Sequence, residues 1–208
     1  FKGRGFLFAL VIVTLIVPPQ TIMIPLFLHF FNFDIFGIFE LISGKPLNLL
    51  NSMAPFILMS MTGMGLKNGL YIYILRQFFR GMPKELEEAA YVDGAGLFKT
   101  FYRIMLPSAI PAMVTVFLFS FVWQWTDSFY SNLFLQSTRV LATSLSGVSY
   151  QVTQHFYSMT GVTTVLSPAL SSMYTNTASL LVVLPLLIVY LFAQRYFVES
   201  IERTGIVG

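Results

Sequence analysis

With 56% hydrophobic and only 10% charged residues among 208, and a mean hydropathy of +0.74, the chain lacks the charge of a soluble domain, in which roughly a quarter of residues are charged. It has no cysteine, which excludes a disulfide framework and a thiolate metal site. The formal net charge of +3 is small, so its placement along the chain says more than its sum.

Residues 5–33, 46–66, 104–126 and 140–194 contain no Asp, Glu, Lys or Arg. A helix needs roughly 20 mostly apolar residues to cross a hydrocarbon core of about 30 Å. The alternation of a membrane β-barrel is absent, so the expected class is all-α, a polytopic membrane helical bundle treated as one domain over 1–208. The chain opens "FKGRGFLF", without an initiator methionine or the layout of a signal peptide, which fits a fragment lacking earlier membrane segments.

The first expected span covers about 6–30 and is broken by Pro18, Pro19 and Pro25, which membrane helices tolerate where neighbours or water satisfy the freed groups. A connection follows over 31–50. The second span covers about 50–79 and is interrupted by "TGMGLKNG", residues 62–69. The third covers about 109–134, and the fourth about 178–197 with Pro185 inside it. Nearly half of residues 142–179 are Ser, Thr, Asn or Gln. That composition suits a solvated or pore-facing segment holding short helices, since a structureless loop of this length is uncommon.

Lys and Arg near the span ends set orientation. Lys2, Arg4, Arg76, Arg80, Lys84, Lys99, Arg103, Arg195 and Arg203 fall on one side of a four-span arrangement, and Lys45 and Arg139 on the other. Both ends of this segment and the charged loop at 81–107 are therefore expected on the cytoplasmic side.

That loop reads "GMPKELEEAAYVDGAGLFKTFYRIMLP". Pro83 suits the first turn of a helix, where its missing N–H would be unpaired anyway. Glu85, Glu87 and Glu88 follow where the helix dipole favours negative charge. Leu86, Ala89 and Ala90 form a narrow face of small side chains, and Gly94 and Gly96 stop the helix. A second short helix is predicted over Leu97–Met105, with Pro107 turning the chain back into the membrane. Spacing alone fits a docking knob and a plain solvated loop equally well.

The same residues resemble the EAA loop of the membrane subunits of ATP-binding-cassette importers. That pattern is Glu-Ala-Ala, three residues, Gly, about nine residues, then Ile-x-Leu-Pro. Here it is met by Glu88, Ala89, Ala90, Gly94, Ile104, Leu106 and Pro107. The flanking "LRQFFRGMPKELEEAA" and "PSAIPAMVTVFLFSFVWQW" and the tail "QRYFVESIERTGIVG" resemble the carbohydrate branch, permeases of the MalG type. Members have about six spans, and "FKGRGFLF" resembles the start of the third, so the first two are expected to be missing here. In "WTDSF", Thr126 replaces the Asn common in the family, while Asp127 is kept.

The resemblance implies a multi-pass subunit of a bacterial or archaeal cell membrane, in contact with lipid and not with nucleic acid. It implies a second homologous permease, favouring a heterodimer, together with two ATPase subunits and an extracytoplasmic solute-binding protein. ATP and magnesium would sit on the ATPase, with no cofactor in this chain. Glu88 would offer a carboxylate to the ATPase, Ala89 and Ala90 would permit close packing, Gly94 the bend, and Asp93 a cap or contact. The outward polar loop over 141–177 would touch the binding protein.

No phosphate loop and no catalytic motif occurs, which points to a transport subunit rather than an enzyme. His29 and His155 are distant in sequence and suit hydrogen-bonded or interface histidines better than metal ligands. Two groups are candidates for the substrate pathway. Lys67 and Asn68 are a polar pair within a span, where charge usually faces a bundle interior or water, although Lys67 near the outer surface would simply snorkel. Trp123, Trp125 and Asp127 suit a sugar, whose ring stacks on aromatic faces, although an interfacial aromatic belt fits them better. The alternatives are a permease for a peptide or polyamine, or an ion-driven carrier, for which Asp127 is the single intramembrane acid.

Overall fold

The computed structural model describes residues 2–35, 37–162 and 166–205, with 197–205 described through the backbone alone. The side chains of 197–205, Arg203 among them, residues 206–208 of the tail and residues 163–165 of the polar loop lie outside what is described. Among the described residues all regular structure is helical, apart from one isolated bridge between Phe33 and Leu47. The all-α expectation holds.

The chain forms two compact units, each assembled from segments distant in sequence. One comprises the described residues of 1–17, 60–123 and 189–208; the other comprises those of 18–59 and 124–188.

In the first unit, α1 (Arg4–Ile16) packs against α5 (Asn68–Gly81). Gly69 makes this crossing possible. A Cβ there would lie 2.9 Å from the Val11 carbonyl and 3.0 Å from both Leu15 Cγ and Thr14 Oγ1. Further along the antiparallel pair, the Phe8 ring stacks on Tyr73 at 6.2 Å, and the Arg76 guanidinium sits 3.7 Å over Phe8. The guanidinium satisfies its charge on the ring face and covers apolar surface with its stem. At the far end of α5, Phe78 is buried with Ala109 and Ala112, the first turn of α9 (Ile110–Thr126), against Leu75, Phe79 and Met82. Small residues at 109 and 112 allow this close approach.

In the second unit, the chain enters through a 3-10 turn, Pro19–Ile22, into α2 (Met23–Phe31). α3 (Ile38–Ser43) begins after Gly37, with the Asp34 carboxylate accepting from the Phe39 N–H at 2.8 Å. α4 (Ala54–Met61) and α10 (Phe129–Phe134) supply its remaining core helices. An aromatic cluster forms the core. Phe134 meets Phe30 and Phe56 edge-on at 5.2 and 5.6 Å and stacks on Tyr130 at 6.0 Å. Asn51 clips this cluster shut: its N–H donates to the Phe134 carbonyl at 2.6 Å, and its Oδ1 accepts from the Ser137 N–H at 2.8 Å. It does so with φ 57, a left-handed conformation that Asn tolerates better than most residues.

The polar segment contains α11 (Leu141–Ser144) and α12 (Val148–Thr160), as the composition suggests. The final helix, α13 (Pro168–Gly205), starts well before the apolar stretch expected from about 178. Hydroxyls in its polar first turns bond within the helix, Thr177 to the Met173 carbonyl at 2.9 Å and Ser179 to the Thr175 carbonyl at 2.8 Å. Ser149 of α12 meets Ser171 of α13 at 2.6 Å.

Among the described residues, Pro168–Tyr196 alone forms a single helix long and apolar enough to cross a membrane, and its most apolar window has no buried residue. Its 29 residues exceed the roughly 20 that a bilayer crossing needs. Arg4–Ile16 with Pro19–Phe31, and Leu97–Ser108 with Ile110–Thr126, meet the same criteria only as bent pairs. The stretch 50–79 holds α4 and α5, separated at the "TGMGLKNG" turn.

Candidate functional site

The charged loop belongs to the first unit and folds as a helical hook. α6 (Lys84–Val92) starts after Pro83, which is the N-cap with φ −58 and ψ 133 rather than a first-turn residue. A proline in extended backbone delivers the chain into the helix without wasting a donor. Glu85 and Glu87 then occupy the first turn, as the dipole argument requires.

The helix ends in a full Schellman motif. The Gly94 N–H donates to the Tyr91 carbonyl at 3.0 Å, and the Ala95 N–H donates to the Ala90 carbonyl at 2.9 Å. Gly94 has φ +73, and a Cβ there would meet nothing within 4 Å. Within this chain its role is conformational. Gly96 differs from the expectation: with φ −76 it caps the next helix in ordinary extended backbone, and any residue would fit. Asp93 is the C-cap of α6 and is exposed.

Beyond Gly96, α7 (Leu97–Thr100) passes into a π-helical turn, Phe101–Met105, and then α8 (Leu106–Ser108). The Leu106 N–H reaches back five residues to the Phe101 carbonyl. This corrects the expected role of Pro107, which continues the helical path and does not turn it. A proline ring collides with the carbonyl four residues earlier in an α-helix, and the widened turn just before it gives that carbonyl room. Ser108 Oγ donates to the Ile104 carbonyl at 2.8 Å. The chain bends at Ala109 instead, by 65° between 97–108 and α9, where the Ala109 N–H is shared between the Met105 and Leu106 carbonyls.

The hook has two faces. Ala90 and Thr100 are each 2% exposed and hold it to the unit, with Phe101 against Phe79 at 6.1 Å. Glu88 and Ala89 are exposed; Ala90 is not, so the alanine pair is divided between the two faces. Ile104 and Leu106 are half-buried, and Pro107 is exposed. Spacing did not single out the apolar tip: Val92 is 88%, Phe98 82% and Leu97 73% exposed. Three large apolar side chains are thus left exposed around a left-handed turn.

The proposed pathway residues are distributed as follows. Lys67 and Trp123, distant in sequence, meet in the first unit with the ammonium 4.8 Å over the indole ring. Asn68 Nδ2 donates to the Ser60 carbonyl at 3.1 Å, closing the break between α4 and α5. In the second unit the Trp125 indole N–H donates to the Val182 carbonyl at 3.0 Å, in the turn of α13 that Pro185 interrupts. The Asp127 carboxylate is buried and accepts from the Ser131 N–H at 3.0 Å, capping α10. Trp125 and Asp127 line one cavity of about 390 Å³. His29 sits edge-on to Phe30 and Phe33, and His155 lines an open groove along α12. Among the described residues no three His, Asp or Glu side chains gather as metal ligands would.

Residues 1–203 match the family of binding-protein-dependent transport system inner membrane components. A probable ABC transporter permease protein of Pyrococcus horikoshii is 28% identical over 96% of this chain and 61% of its own length. The alpha-glucoside transport system permease protein AglG of Rhizobium meliloti is 38% identical over 65% of this chain and 32% of its own. The arabinooligosaccharides transport system permease protein AraQ of Halalkalibacterium halodurans is 26% identical over 100% of this chain and 63% of its own. The chain thus spans less than two thirds of the length of these relatives. A match over nearly every residue, together with the intact motif folded as a hook, settles the family: this chain belongs to the binding-protein-dependent transport system inner membrane components.

Proposed function

We propose that the chain is a membrane-spanning permease subunit of an ATP-driven importer, and that its cargo is a carbohydrate. The observation that carries the reading is the hook over 84–108, in which the family motif forms a left-handed turn with an exposed apolar tip. A partner ATPase with a complementary cleft would bury Val92, Leu97 and Phe98, and Glu88 would reach a basic or polar group at its rim. ATP and magnesium are held on that partner. Movement of the ATPase pair is transmitted through the hook to the spans, which alternate access between the two sides of the membrane.

The basic residues flanking the hook and both ends of the segment favour a cytoplasmic location for all three. The polar segment over 141–177 then faces the opposite side, where a solute-binding protein delivers cargo. A second permease, different from this one, completes the pathway. The carbohydrate cargo is supported by the relatives named for alpha-glucosides and arabinooligosaccharides. Energised uptake by the assembled complex tests the reading: labelled sugar should accumulate with ATP and not with an ion gradient alone. Accumulation driven by the gradient without ATP would refute it.

A further inference from the structure

The packed faces of α1 and α5 both run out into arginine at the same end. Along α1, Arg4, Phe8, Val11 and Leu15 share one face at helical spacing, and along α5 so do Gly69, Tyr73, Arg76 and Arg80. These are the faces in contact: Gly69 lies against Val11 and Leu15, Phe8 stacks on Tyr73, and the Arg76 guanidinium sits 3.7 Å over Phe8. The pair is antiparallel, so one further turn along each helix, roughly 6 Å, carries Arg4 and Arg80 to the mouth of the seam beside Arg76. Three like charges there repel one another. Among the described side chains none of the three has a carboxylate partner; Arg76 rests on an aromatic face, and Arg4 and Arg80 are exposed. The backbone beside them is open, since a Cβ on Gly5 or Gly81 would meet nothing within 4 Å. Next to the arginines, α1 also exposes Phe6, Leu7 and Leu10.

We propose that the mouth of the α1–α5 seam binds the phosphate of an anionic phospholipid, in the leaflet bordering that end, whatever solute the protein transports. Arg4 and Arg80 donate to the phosphate from the two helices. Arg76, held in place over Phe8, adds fixed positive charge beneath it. A planar guanidinium matches two phosphate oxygens at once, which an ammonium does not. The charge by itself would also suit an acidic protein segment. Such a partner would leave Phe6, Leu7 and Leu10 bare, whereas the acyl chains of a lipid cover them. A zwitterionic headgroup brings its own cation towards the arginines, so the site favours phosphatidylglycerol over phosphatidylcholine. The bound phosphate cancels the repulsion and clamps the two helices at the end away from Gly69. Because α5 runs through Met82 and Pro83 straight into α6, the clamp steadies the root of the hook.

The test uses the full-length chain purified with its partners in mild detergent and equilibrated with phosphatidylglycerol or phosphatidylcholine. Native mass spectrometry counts the lipid retained, and thermal unfolding reads its effect on stability. The parent should retain phosphatidylglycerol in preference to phosphatidylcholine, and its unfolding midpoint should rise with the former. Arg4→Gln/Arg80→Gln should lower phosphatidylglycerol retention about tenfold or more, since hydrogen bonds to a charged group are lost from both helices. Each single change should lower it less, which keeps the test open should the double variant fold poorly. The exposed pair Lys45→Gln/Lys99→Gln removes the same charge away from the seam and should leave retention unchanged. Inorganic phosphate in place of lipid should not raise the midpoint. Equal retention of the two lipids overturns the proposal, and so does undiminished phosphatidylglycerol in the double arginine variant, which would give the seam to a protein carboxylate. A rise produced by inorganic phosphate alone also overturns it, in favour of a free-anion site.

Discussion

The Lys67 ammonium lies 4.8 Å over the Trp123 indole, and Lys67 reaches it from a left-handed backbone with φ 60. A lysine has no intrinsic reason to adopt that conformation. It is the N-cap of α5, and its carbonyl accepts from the Leu70 N–H at 2.9 Å, so the strain sits where the broken span restarts. The cation–π contact and the new helix jointly offset it.

Substitution there should separate the two effects. Lys67→Gly loses the cation and relieves the backbone, whereas Lys67→Ala loses the cation and keeps the strain. The glycine variant should therefore be more stable than the alanine variant by about 1 kcal/mol. Thermal unfolding in detergent reads this, and equal midpoints for the two would contradict a left-handed residue 67.

Gly69 and Gly96 should respond oppositely to the same change. At Gly69 a methyl group would meet backbone and side-chain atoms of α1 at 2.9 to 3.0 Å, so Gly69→Ala should destabilise by roughly 1–3 kcal/mol through overpacking. At Gly96, with ordinary φ and open space, Gly96→Ala should stay within about 0.5 kcal/mol of the parent. The same thermal assay distinguishes them.

Gly94 tests conformation against bulk. Its φ of +73 and empty surroundings mean that Gly94→Ala and Gly94→Leu impose the same backbone strain, about 1–2 kcal/mol. Both should insert in the membrane with similar unfolding midpoints. Uptake should fall in the alanine variant and vanish in the leucine variant, whose side chain intrudes on the partner. Identical uptake in the two would mean that bulk at this turn meets no partner.

Among the described residues, the Tyr71 hydroxyl in α5 is buried without a hydrogen-bond partner. Tyr71→Phe removes a polar group that gains nothing from its surroundings and should leave stability equal or raise it by up to about 1 kcal/mol. Loss of stability in this variant would show that the hydroxyl has a partner in the assembled protein.

Much of the hook is legible from sequence because its signals are local. A proline, three glutamates and a glycine set the start, polarity and end of α6 within a dozen residues, and short-range hydrogen bonds enforce them. Gly96 and Pro107 mislead because each residue type has more than one use. A glycine can cap in ordinary backbone, and a π-helical turn lets a proline continue a helix. The tip formed by Val92, Leu97 and Phe98 was hidden because apolar residues in an apolar chain carry no contrast until their exposure is known. Lys67 over Trp123, and Asp127 with Arg139 on one cavity, depend on contacts between distant segments, and no periodicity encodes those. The Asn51 clip is of the same kind, its backbone N–H bonded to Phe134 and its side chain to Ser137, both far along the chain.

The most direct test of the account is recovery of partners from mild detergent with a tagged full-length chain, followed by mass spectrometry. An ATPase subunit should co-purify with the parent protein. It should be lost with Gly94→Leu and with Phe98→Ser, a change at a position 82% exposed that should alter stability by no more than about 0.5 kcal/mol. Both variants should still be found in the membrane. Recovery of the intact parent without an ATPase, joined to uptake that survives ATP depletion, would contradict the account and point to an ion-driven carrier.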